Sequence, residues 1–108
     1  MNPLAFYKCL ADDTRLQSLL LLADGRQLCV CELMDALQLS QPKVSRHLAE
    51  LRECGIVQGE RRGRWVYYCL APGLPDWARE VLLTTAAAAP GYLKTARRRL
   101  AASTCTPA

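Results

Sequence analysis

Ser40-Gln41-Pro42-Lys43-Val44-Ser45-Arg46-His47-Leu48 is the stretch that decides how this chain folds. Ser40 is a natural helix N-cap, and Pro42 falls in the first turn, where its missing N–H leaves no hydrogen bond unmade. Val44, Leu48 and Leu51 then recur at helical spacing and point inward, while Lys43, Arg46, His47 and Glu50 are expected to face outward. The helix runs to about Glu53 and stops at Cys54-Gly55. Upstream, Cys29–Leu37 carries Val30, Leu33, Met34 and Leu37 at i, i+3, i+4 and i+7, a second amphipathic helix, with Gln38-Leu39-Ser40 as the turn between the two. Downstream, Ile56–Glu60 and Trp65–Leu70 read as two strands joined by a basic loop, Arg61-Arg62-Gly63-Arg64. Two short helices, a tight turn and a hairpin in that order spell a winged helix-turn-helix, mainly α with a two-stranded β-wing.

That architecture offers its second helix to a DNA major groove. Ser40, Gln41, Lys43, Ser45, Arg46 and His47 cluster on or near the N-terminal half of this helix. An arginine fork at Arg46 suits guanine and the Gln41 amide suits adenine, whereas Lys43 and Ser45 equally suit phosphate oxygens. Arg61, Arg62 and Arg64 in the wing suit the DNA backbone or minor groove. The net charge is only +4, so its placement matters more than its size. Between Ser40 and Arg64 stand Lys43, Arg46, Arg52, Arg61, Arg62 and Arg64 against Glu50, Glu53 and Glu60, which puts most of the excess in this stretch. The alternative is a solvated amphipathic helix beside a charged hairpin, and the order of turn, helix and wing weighs against it.

The rest of the chain supplies the body. Leu4–Leu10 is a short apolar-rich helix, Asp12 and Asp13 offer a cap to a leucine-rich helix at Thr14–Ala23, and Asp24-Gly25 ends it. Leu74–Ala89 reads as a helix broken at Pro90-Gly91, and Tyr92–Ala102 as a final one. The 108 residues make about one domain, residues 1–102, with 103–108 as a flexible tail. The start Met1-Asn2-Pro3 shows no charged and apolar leader, and the longest apolar runs, Leu19–Ala23 and Trp65–Ala71, are too short to span a bilayer. The expected location is the cytoplasm, where thiols stay reduced. A single histidine, no glycine-rich phosphate loop and no nucleophile–base pair argue against an enzyme.

Six cysteines in such a chain point to metal or redox chemistry rather than to a disulfide framework. Leu28-Cys29-Val30-Cys31-Glu32-Leu33 sets two of them beside the helix-turn-helix, and thiols favour soft, thiophilic ions over hard ones. Cys9 falls on an apolar helix, Cys54 at a helix end, Cys69 along a strand and Cys105 in the tail, from which it can swing toward a site.

Five blocks agree in order with one known family: Asp12-Asp13-Thr14-Arg15-Leu16, Leu28–Leu33, Ser40–Leu48, Leu51-Arg52-Glu53-Cys54-Gly55 and Gly63-Arg64-Trp65-Val66-Tyr67-Tyr68. Over roughly Leu4–Pro72 the chain resembles the ArsR/SmtB family of metal-responsive repressors, most of all its arsenic-sensing branch. The resemblance implies a homodimer built on the first helix and on Leu74–Ala89. It implies binding to a palindromic double-stranded operator ahead of a resistance operon, and release by trivalent arsenic or antimony (arsenite, methylarsenite or antimonite) on Cys29 and Cys31. One departure matters. The family's arsenic sensors often carry a third cysteine where this chain has Met34, and a thioether is a poor substitute for a thiolate. Either two thiolates and an outside ligand suffice, or another cysteine completes the site; a monomethylated trivalent arsenical needs only two. The family's zinc sensors use histidines along the dimer helix, and Leu74–Ala89 contains none.

Residues two apart on an α-helix point about 200° apart. On the helix Cys29–Leu37 the two cysteines flank the apolar stripe from opposite edges, so one ion takes both sulfurs only where the helix locally unwinds, and a helix start is where unwinding costs least. The ion then favours a distorted first helix and the operator an intact one, so the two are coupled. The alternatives within the same fold are a cadmium- or lead-responsive repressor, a thiol redox-responsive one and a DNA binder without effector.

Overall fold

The computed structural model describes residues 1–105. Helices α1 (Pro3–Leu10) and α2 (Asp13–Leu22) lead into a two-residue strand β1 (Leu28–Cys29), then α3 (Val30–Leu37) and α4 (Gln41–Glu53). The hairpin β2 (Val57–Arg62) and β3 (Trp65–Leu70) follows, and α5 (Asp76–Ala88) and α6 (Pro90–Ala101) close the domain. Asp12 caps α2 as the sequence expects, accepting from the Arg15 N–H at 3.0 Å, and Asn2 caps α1 ahead of Pro3, accepting from the Ala5 N–H at 3.1 Å. α5 ends ahead of Pro90 as expected, and Pro90 itself opens α6, two residues before the expected start at Tyr92, because a proline in the first turn loses no hydrogen bond.

The leucines of α2 form the centre of the core. Leu19 and Leu22 are buried with Leu33 of α3, Val44, Leu48 and Leu51 of α4, Ile56, Leu82 of α5 and Leu93 of α6. α3 packs chiefly on α6 and α4. The turn between α3 and α4 is made by Gln38, the one non-glycine residue at positive φ among those described (φ 55°). Its amide donates to the Asp35 carbonyl at 2.8 Å, which offsets part of the cost of that conformation.

The sheet differs from the expected two-stranded wing in two ways. It has three antiparallel strands in the order β1-β3-β2, with Leu28 opposite Tyr68 and Cys29 opposite Tyr67. The strand pair β2–β3 also runs further out than expected, pairing Arg61 with Val66 and Arg62 with Trp65. The loop therefore shrinks to Gly63-Arg64, and Gly63 takes the positive φ (62°) that a two-residue hairpin turn requires. Cys29 accordingly belongs to β1 and not to the helix.

The C-terminal residues also differ from expectation. Ser103 Oγ meets Asp35 Oδ2 of α3 at 2.5 Å, so the chain beyond α6 is laid on α3 through Cys105; residues 106–108 of the expected tail lie outside the described residues. On the opposite side, Phe6 packs edge-on against Tyr7 and Trp77 with ring centroids 5.3 and 5.1 Å away. Leu4, Tyr7 and Trp77 leave an exposed apolar face across α1 and α5.

Candidate nucleic-acid interface and thiol site

α4 presents Gln41, Lys43 and Arg46 to solvent and buries Val44, Leu48 and Leu51. Ser40 occupies the N-cap with extended backbone but makes no side-chain capping bond, which leaves its hydroxyl exposed at the helix start. Gln41 Nε2 lies 2.9 Å from Ser45 Oγ, so these two side chains form one polar unit along the helix. His47 departs from its expected outward orientation. Its side chain is 16% exposed, its Nδ1 lies 3.8 Å from Asp12 Oδ2, and Nδ1 is buried without a hydrogen-bond partner. It sits between the buried Val44 and Leu51 on the helix, one turn from each, and is drawn toward α2.

The wing arginines are partly committed. Arg61 Nε donates to the Gly63 carbonyl at 3.1 Å, which folds it back on the turn. Arg62 reaches Gln27 Oε1 at 2.6 Å and Glu60 Oε2 at 3.0 Å and lies 4.7 Å over the Tyr67 ring. Arg64 is exposed at the tip and lines a groove facing the helix-turn-helix. Arg64 thus lines the groove beside α4, Arg61 folds back on the turn, and Arg62 is pinned to Tyr67 of β3 and to Gln27, just ahead of β1.

Sequence reasoning quoted Arg15 but gave it no role. Its guanidinium joins three elements: Nε donates to the Cys9 carbonyl at 2.7 Å, Nη2 to the Lys8 carbonyl at 3.4 Å and Nη1 to Glu50 Oε2 at 2.5 Å. It holds α4 to α2 and to the carbonyl end of α1, where positive charge is favourable. Nothing in its local surroundings, the polar first turns Asp13-Thr14-Arg15-Leu16-Gln17-Ser18 of α2, marks it out, because its partners lie on α1 and α4. Beside it, the Arg15 backbone N–H donating to Asp12 holds that carboxyl below its ordinary 3.8; partial burial opposes this, and the charges of His47 and Arg15 add to it.

The two candidate metal ligands occupy different backbones. Cys29 is fully buried at the N-cap of α3, with φ −83° and ψ 162°. Its N–H donates to Glu32 Oε1 at 3.1 Å, and the Glu32 backbone N–H turns back on its sulfur. Burial pushes the Cys29 thiol up, and the Glu32 carboxylate adds to this while the backbone N–H groups pull the other way. Cys31 is half-buried in the first turn of α3. It opens on a groove of about 340 Å³ lined by Met34, Gln41, Arg64, Trp65 and Val66. The sulfur of Cys105 lies directly against that of Cys31, their Cα atoms 5.9 Å apart. Cys9 and Cys54, each expected to stand alone, also meet sulfur to sulfur across α1 and the end of α4. Cys69 is half-buried on β3 and unpaired. No group of three His, Cys, Asp or Glu side chains is assembled as a metal site among the described residues. The donor chemistry nonetheless fits a soft ion, since two thiols already converge at the start of α3 and a third lies two residues before.

Comparison with known proteins agrees with this geometry. Residues 12–58 match the family described as "Bacterial regulatory protein, arsR family". The chain is 56% identical over 82 residues to the arsenic resistance transcriptional regulator ArsR1 of Pseudomonas putida, covering 76% of this chain and 64% of that protein. It is 50% identical over 80 residues to the arsenical resistance operon repressor of Escherichia coli, covering 74% of this chain and 68% of that one. The chain belongs to the arsR family. This arsR-family protein is therefore a DNA-binding transcriptional regulator and not an enzyme. A solved relative has the same fold: the homodimeric winged helix-turn-helix DNA-binding domain of a possible ArsR-family regulator from Mycobacterium bovis. It superposes with a TM-score of 0.65 at 28% identity, over 83% of this chain and 80% of that one. No helix of the described residues is long and apolar enough to cross a membrane.

Proposed function

We propose that this regulator is a repressor acting in the cytoplasm, a homodimer on a palindromic operator that lets go when Cys29 and Cys31 take a trivalent arsenical. The observation that carries the reading is the double role of Cys29, which is both the last residue of β1 and the N-cap of α3. Cys31 offers its sulfur on the groove side, while the Cys29 sulfur is buried beneath the sheet. For both to share one soft ion, Cys29 has to turn out of the core. Its backbone then leaves register with Tyr67 and its N–H leaves Glu32. β1 ties α3 to the wing, so the start of α3 and the position of β3 change together. DNA binding requires α4 and the wing in one fixed relation, and the effector favours another; each weakens the other's binding by the same factor. This replaces unwinding of a helix that contains both cysteines with rupture of a strand–helix junction.

The exposed face of Leu4, Tyr7 and Trp77 supports a dimer through α1 and α5, and two-fold symmetry sets half-sites about one helical turn, roughly 34–36 Å, apart or a multiple of it. Relatives named for arsenic resistance support the choice of arsenite, methylarsenite or antimonite as effector. A second reading, thiol redox control of the same fold, is favoured by the contact of Cys31 with Cys105. It calls for release by peroxide and recovery with reductant.

Titrating operator-bound protein with arsenite, cadmium and peroxide separates these readings. Arsenite is expected to release the wild type, while Cys29→Ser and Cys31→Ser bind operator and stay bound. Normal release of either variant, or a wild type indifferent to arsenite, overturns the proposal.

A further inference from the structure

We propose that Cys105 is the third thiolate of the effector site, supplied from beyond α6 in place of the thiol that Met34 lacks. The inference rests on the arsenical reading above. α6 packs along α3, and two hydrogen bonds continue that packing past the helix end: Ser103 Oγ with Asp35 Oδ2 at 2.5 Å, and the Cys105 N–H to Ser103 Oγ at 3.3 Å. Together they set the Cys105 sulfur against Cys31, with a Cα separation of 5.9 Å. Met34, one turn after Cys31 and lining the same groove, has no proton to give up and remains a thioether.

The chemistry sets the count of thiols. Trivalent arsenic in arsenite carries three hydroxyls. Each arsenic–sulfur bond formed breaks one arsenic–oxygen bond, and the hydroxyl leaves as water with the thiol proton, without any change of oxidation state. Cys29, Cys31 and Cys105 replace all three hydroxyls. Cys29 and Cys31 alone replace two, which completes a methylarsenical but leaves arsenite with one open position. Cys105 is thus the residue that admits arsenite. It also ties the end of α6 to the junction that moves on loading.

The test is Cys105→Ser in the full chain, at a position outside any helix or strand. The variant is expected to bind operator as the wild type does and to be released by methylarsenite at wild-type concentrations. The arsenite concentration for half release is expected to rise by at least ~10-fold, since loss of even an outer partner of a bound ion costs 10–100-fold. A second readout needs no DNA. X-ray absorption of the arsenite-loaded protein is expected to count three sulfurs on arsenic in the wild type and two in Cys105→Ser. Equal arsenite release of the wild type and Cys105→Ser, with two sulfurs on arsenic in both, overturns this inference. If Cys29→Ser and Cys31→Ser are then still unresponsive, the arsenical reading itself stands. Release of the wild type by peroxide alone, abolished in Cys105→Ser, also overturns it and assigns the pair to redox control.

Discussion

Replacing Arg15 with alanine asks whether α4 is held by one guanidinium. The side chain donates to the Cys9 carbonyl at 2.7 Å and to Glu50 at 2.5 Å, with 18% of it exposed against 44% of Glu50. The bond to the carbonyl end of α1 is charge-assisted and sheltered, and such bonds contribute about 1.5–3 kcal/mol. The half-exposed Glu50 pair adds less, about 0.2–1 kcal/mol. Arg15→Ala should therefore cost roughly 2–4 kcal/mol. At about 4–8 °C per kcal/mol for a domain near this size, melting falls by roughly 8–32 °C. Urea unfolding followed by tryptophan fluorescence measures the loss, at one fixed protein concentration because association adds to stability. A double-mutant cycle with Glu50→Gln isolates the ion pair, for which a coupling below about 1 kcal/mol is expected. A total loss under about 1 kcal/mol, or a coupling equal to the whole loss, refutes the clasp at the α1 carbonyls.

Lys43→Ala should weaken operator and unrelated DNA alike and reduce the salt slope by about one unit, whereas Arg46→Ala should cost about 1–3 kcal/mol on operator and relax sequence preference. Fluorescence anisotropy across a salt series reads both. Trp77→Ala, which removes an exposed ring from the α1–α5 face, should raise the concentration at which the protein dissociates in sedimentation while leaving its helical circular dichroism intact. Tyr92, whose hydroxyl meets the Asp13 carboxylate, has its pKa pushed up from 10.0 to about 12 by burial first and then by that carboxylate. The stability it contributes is complete below its ordinary value and is lost as pH rises from there to about 12. The gap in urea midpoint between wild type and Tyr92→Phe should therefore close over that range.

The parts of the fold set by local pattern were legible in the sequence. Val44, Leu48 and Leu51 mark the buried face of α4, and the hairpin declared itself through Gly63 and the apolar run from Trp65. The same stripe also held a sign that His47 turns inward, because it stands one turn from both Val44 and Leu51. β1 was not legible. Two residues carry no periodicity, and their strand character comes from Tyr67 and Tyr68, far along the chain. That single strand moved Cys29 out of the helix and changed the expected mechanism of release. Cys105 was legible only as a cysteine free to swing toward a site: its place beside Cys31 follows from the packing of α6 on α3, a long-range contact that no local spacing encodes.

Hydrogen exchange at the β1–β3 pairing tests the central claim most directly. The Leu28, Cys29 and Tyr68 amides are expected to lose protection when arsenite is added to the free protein, while Tyr67, whose N–H faces β2, and α2 and the body of α4 keep theirs. Undiminished protection at the Leu28, Cys29 and Tyr68 amides in protein that arsenite has fully released from its operator contradicts the account.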